Sequence, residues 1–184
     1  QTTALTTTQF AALETVDLVA LATANLRVLA TVQITAMTSD QAAALTGSQV
    51  IALTTSQVAS LTTVNLAAVS TSNVAALTTL QIAALTTAQA ATLGTAQSQA
   101  LTPAQITALV TDDIAALATA SVQILSSIQI AALTTRQIAA LGTAQVLGLG
   151  TDNISALSTL QVASLLTAGV AVLTTTNVAQ LSTL

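Results

Sequence analysis

Large aliphatic residues recur at every eighth position of this chain, from Leu5, Leu13, Leu21 and Leu29 through to Leu181, with only Met37 and Val69 departing from leucine. Numbering the octad from that residue, position three is Ser or Thr except at Gly47 and Pro103. Position five is Gln, Asn or Asp except at Ser121 and Gly169. Position six is mostly Ile, Val or Leu, and positions seven and eight are mostly Ala. The unit is L-T-T-x-Q-[IV]-A-A. It runs in register over residues 1–184 as a single uninterrupted array. Neither end carries the polar, atypical repeat that caps a solenoid, so the array reads as a window on a longer one.

Three structures fit an eight-residue period, and the residues discriminate among them. One continuous helix would need its apolar positions to recur every 3.5 to 3.6 residues. Positions one and six recur at alternating spacings of five and three, which drifts off any one stripe, and Pro103 would break such a helix. A β-solenoid would stack Thr and Gln or Asn in ladders. It requires positions one and six to share a face, which the two-residue period of a strand forbids, and Ala is a poor strand former. It stands as the alternative. The third structure is a chain of very short helices. Thr102-Pro103-Ala104-Gln105 matches a capping box, with Thr as N-cap, Pro at the first helical position and Gln three residues after the cap. Thr-Thr-x-Gln repeats that logic in most octads, and the residues behind it are good helix formers. At Ala22, Ala30, Val110 and Leu166, where position two cannot cap, the cap is expected to shift to the hydroxyl at position three.

The reading is therefore all-α: a tight α-solenoid with eight residues per helix. Helices this short do not form alone, because nucleation is unfavourable, so stacking must stabilise them. A second regularity suggests the coil. Position four is large and apolar at Val16, Val32, Val64, Leu80, Ile128 and Leu160, all multiples of sixteen, and small or polar at the copies between, apart from the terminal Leu184. Position eight is enlarged at Val28, Ile124 and Val172, in the other class of octads. Two kinds of octad imply a coil of 16 residues and two helices, about eleven coils and roughly 90 Å in all, with the position-four residues forming one stripe along one side.

Composition removes most chemistries. The chain has no His, Cys, Trp, Tyr or Lys and a net charge of −4, so it lacks the commonest metal ligand, any thiolate and any basic footprint for nucleic acid. No apolar run approaches the ~18 residues of a membrane span. Asp112-Asp113 is the one carboxylate pair, and its plainest reading is a helix first turn, where negative charge suits the dipole. Asp17, Asp40 and Asp152 fall at or near helix starts in the same way. No Ser or Thr has a His or Lys to activate it. Arg27 and Arg136 are single copies, and Gly94, Gly142, Gly148 and Gly150 form no phosphate-binding loop. No catalytic, cofactor-binding or metal residue is assigned, no cofactor or small-molecule substrate is expected, and the chain does not read as an enzyme. An ordered array of Thr hydroxyls that binds ice is the sharper, lesser alternative to Thr as a simple cap.

Two resemblances bear on function. Leu101 to Leu109, LTPAQITAL, resembles the opening of the repeats in TAL effectors, but over one octad only, without the basic character or base-reading loop, so DNA binding does not carry over. The whole chain resembles the L-T-T-x-Q-[IV]-x-A octapeptide arrays of very large bacterial cell-surface and secreted proteins, often labelled adhesin-like. That resemblance implies an extracellular, structural array and transfers no functional residue. With only 4% charged residues, an isolated solenoid would lack the surface that keeps proteins dispersed. The expected function is an extracellular filament, sheath or surface fibre built from copies of the same chain, with a passive stalk of a giant adhesin as the alternative.

Overall fold

The computed structural model describes residues 1–181 and contains, after a short 3₁₀ turn at Thr2–Ala4, 22 α-helices of five or six residues, from Thr7–Ala11 to Thr175–Ala179. No strand occurs among the described residues. Each octad makes one helix. Two extended residues, at positions one and two, form the link to the next, as at Leu61 (φ −57°, ψ 137°) and Thr62 (φ −66°, ψ 157°). The β-solenoid is thereby excluded and the solenoid of short helices stands.

The coil is not the expected one. Each helix packs on the helix three octads away: Thr87–Ala91 lies under Thr111–Ala116, which lies under Thr135–Ala140, and the same step recurs along the array. One coil is therefore 24 residues and three helices, not 16 and two. The 22 helices make a little over seven coils, so the rod is roughly 60–75 Å long at helix spacings of ~8–10 Å. The octad length cannot reveal this. What closes a coil is the angle turned at each two-residue link, and three links complete the circuit.

The core is built from two rows. Position six points into the stack and is sealed by the coil that follows, as at Ile82 and Ile106, both 0% exposed. Position one, as at Leu85 and Leu109, fills the space beside it. Isolated five-residue helices are unstable. Here each one covers the apolar row of the coil below, and that burial holds it.

Helix starts obey the stack rather than the local cap. Thr102 behaves as expected: its hydroxyl accepts from the Gln105 N–H at 3.2 Å, and its own N–H donates to Gln105 Oε1 at 2.7 Å. At Ala22, Ala30, Val110 and Leu166, however, the cap does not shift to position three. These residues remain the N-caps, with no side-chain cap bond. Moving the start by one residue would rotate position six out of the core, and that burial outweighs the roughly 1 kcal/mol a cap contributes. One corner departs from the pattern: Gly150, at position two, has φ +72° and begins the helix Gly150–Ser155 directly. Just before it, Gly148 leaves room for the side chain of Gln123 from the coil below; a Cβ there would lie 2.6 Å from Gln123 Cγ.

Candidate functional site

The repeated polar feature of the fold is the buried amide at position five. A Gln there has three jobs. Its Oε1 accepts the N–H of its own N-cap residue, completing the capping box. Its Nε2 reaches the coil below and donates to the carbonyl 28 residues earlier, at 2.6–3.0 Å from Gln33 to Gln161. It also approaches carbonyls 30 and 31 residues back; Gln89, for instance, meets the carbonyls of Val58 (2.9 Å), Ala59 (3.4 Å) and Leu61 (2.7 Å). These are carbonyls at a helix C-terminus and in the link beyond it, where the helical ladder ends; that of Val58 accepts in addition from the Leu61 N–H. The ladder of amides thus satisfies helix starts in one coil and helix ends in the coil beneath. The shorter Asn does less. Asn65, Asn73 and Asn153 each keep only the bond to the carbonyl 28 residues earlier, of Met37, Leu45 and Leu125.

Sequence reasoning assigned this Gln to the capping box alone and missed its second partner. A signal existed. A capping box accepts Glu as readily as Gln, yet no octad has Glu at position five. Exclusion of Glu marks a buried site that needs an N–H donor.

Beyond the first coil, three described positions of the ladder have no amide. Ser121 keeps one bond, from its hydroxyl to the Leu93 carbonyl at 3.0 Å. Gly169 has no side chain. Asp113 is 0% exposed, and neither carboxylate oxygen has a hydrogen-bond partner. Burial pushes its pKa above the ordinary carboxyl range, and the charge of Asp112 adds to that. The Thr87 hydroxyl and the Val110 backbone stand close enough to oppose the shift in part. The Asp112-Asp113 pair therefore does not converge on a site: both residues are in a first turn, as expected, but Asp112 is exposed while Asp113 replaces a buried amide. Asp17, Asp40 and Asp152 also lie in first turns and are exposed. Among the described residues no group of three His, Cys, Asp or Glu is placed to hold a metal ion, and no helix is long and apolar enough to cross a membrane.

The outer surface is organised by position four. Because the coil is 24 residues, the six large apolar residues at multiples of sixteen do not form the one stripe expected but fall on two of the three faces. Up one face position four reads Val16, Asp40, Val64, Ala88, Asp112, Arg136, Leu160, and up the next Thr8, Val32, Ser56, Leu80, Ala104, Ile128, Asp152. The third carries only Ala or Ser there, from Ala24 to Ala168. The six large apolar side chains are all exposed, from Val32 at 62% to Leu80 and Leu160 at 73%. On each face they sit two or four coils apart, and the two rows are offset by one coil.

The ALTTAQ repeat family matches residues 10–47, 108–143 and 131–159. The six letters of that repeat's name stand in this chain at Ala84 to Gln89, ending on the amide that joins two coils. No curated protein and no solved structure matches the chain.

Proposed function

We propose that the chain is a structural, non-catalytic array that associates side by side with copies of itself into an extracellular filament, sheath or surface fibre. The observation that carries this reading is the offset between the two knobbed faces. Where one face projects Val32, Leu80 and Ile128, the neighbouring face at the same height presents Asp40, Ala88 and Arg136. Two copies laid parallel, one face against the other, would set large side chains of each against the smaller or flexible positions of the other. Such a contact joins different surfaces, so it leaves a free face on each copy and does not stop at a pair. The low charge and the repeat-family match support a structural role in the same direction, and the resemblance to arrays of secreted proteins supports the extracellular setting.

The test removes one row. Val32, Leu80 and Ile128 are changed together to Ser, and association is followed by sedimentation and electron microscopy. The parent should form lateral bundles and the triple variant should remain dispersed. Bundles that persist unchanged would place the contact elsewhere. A parent that stays monomeric at high concentration would leave the passive stalk as the better reading.

A further inference from the structure

We infer that Asp113 is a proton-operated latch between two coils: protonated, its carboxyl O–H donates to the Leu85 carbonyl in place of the missing amide, and ionised, it sets negative charge against that carbonyl and loosens the coil above. The register identifies the partner. Asn65, Asn73, Ser121 and Asn153 each donate to the carbonyl 28 residues earlier, and for Asp113 that residue is Leu85. Aspartate has the same length as the asparagines that make this bond. It needs only a proton to reproduce it.

No other charge neutralises the group. The helix beneath, Thr87–Ala91, has no titratable residue, and the helix above, Thr135–Ala140, has only Arg136, whose side chain is exposed. Asp112, on the same helix, is exposed and of like sign. The adjoining helices Thr79–Ala83, Pro103–Ala108 and Thr119–Gln123 carry no titratable side chain.

The seam also carries few side-chain hydrogen bonds. The coil from Pro103 to Gln123 is joined to the coil beneath by one complete glutamine, Gln105, one serine, Ser121, and Asp113. The core at this seam includes the small residues Ala90 and Ser98, both buried at position six where most octads place Ile, Val or Leu. In a solenoid each coil touches only its neighbours, so a seam loosened by a buried charge opens without unfolding the rest.

The sign follows from linkage. The folded chain holds the Asp113 proton to a higher pH than the unfolded chain, whose carboxyl titrates near ~3.9. Stability is therefore greatest below that value, falls as pH rises through the raised folded value, and levels off above it.

The experiment is thermal unfolding of the whole chain and of Asp113→Asn from about pH 3 to about pH 8 at constant ionic strength. Asn is native to this position in other octads, so the variant should fold. Every other carboxylate is present in both proteins, and the difference between their curves isolates Asp113. The two should coincide at the acid end, with the variant progressively more stable as pH rises. Parallel curves would overturn the latch. Amide hydrogen exchange supplies a second readout: at neutral pH the seam amides of the parent should exchange about tenfold or more faster than those of the variant, and equal rates would also overturn it. Concentration-dependent stabilisation of the parent alone by calcium or potassium chloride would overturn it as well, since the compensating charge would then be a cation and not a proton.

Discussion

Asp17 and Asp113 occupy the same octad position on the same face of the solenoid, four coils apart, and their surroundings are opposite. Among the described residues Asp17 has no helix beneath it and is exposed; Asp113 has one coil beneath and another above and is fully buried. The identical residue at the identical repeat position is ordinary in one place and out of place in the other. What position five requires is therefore set by the coil below, whose helix-end carbonyls need a donor, and not by the helix that carries it. Gln9 and Asn25 make the same point, being exposed in the first coil where their counterparts from Gln33 onward are buried.

The largest way to break this comparison is to place a carboxylate where an amide works. Gln89→Glu removes the donor to the Val58, Ala59 and Leu61 carbonyls and buries a charge among them, which should cost about 3–5 kcal/mol in urea unfolding at neutral pH. Gln9→Glu, the same change in the first coil, should leave the unfolding midpoint where it was. Equal effects at the two sites would mean that position five serves only the local cap. A smaller change sharpens the comparison from the other side. Ser121→Gln restores donors toward the coil beneath at a defect of the ladder and should stabilise the chain by about 0.5–1.5 kcal/mol. Asn25→Gln, for which this sequence has no residue 28 positions earlier, should do nothing measurable.

Much of the fold was legible because each octad states its own secondary structure. The phrase Thr102-Pro103-Ala104-Gln105 carries helix start, first-turn geometry and capping partner in four residues, and apolar positions six and one lie three apart on the buried face. The coil was not legible. The sixteen-residue alternation of Val16, Val32, Val64 and Leu80 describes the outer surface, whereas the closure of a coil depends on link angles that the repeat length does not contain. The caps at Ala22, Ala30, Val110 and Leu166 were misread for a related reason: a local preference was weighed without the stack that overrides it. The second partner of Gln was legible in principle, through the absence of Glu at position five. Asp113 stood out as half of an acidic pair, but its importance comes from the octad register and not from its neighbour Asp112.

The three-helix coil is the central claim, and the cysteine-free chain allows it to be tested by distance alone. Asp40 and Val64 are exposed residues on helices that pack together one coil apart, whereas Val64 and Leu80 lie on different faces. Cysteines introduced as the pair Asp40→Cys and Val64→Cys, and separately as Val64→Cys and Leu80→Cys, would be treated with a short bifunctional thiol reagent in dilute solution. The 24-residue coil predicts efficient internal cross-linking of the first pair and little of the second. Efficient cross-linking of Val64→Cys with Leu80→Cys, and not of the first pair, would contradict it and restore a coil of two helices.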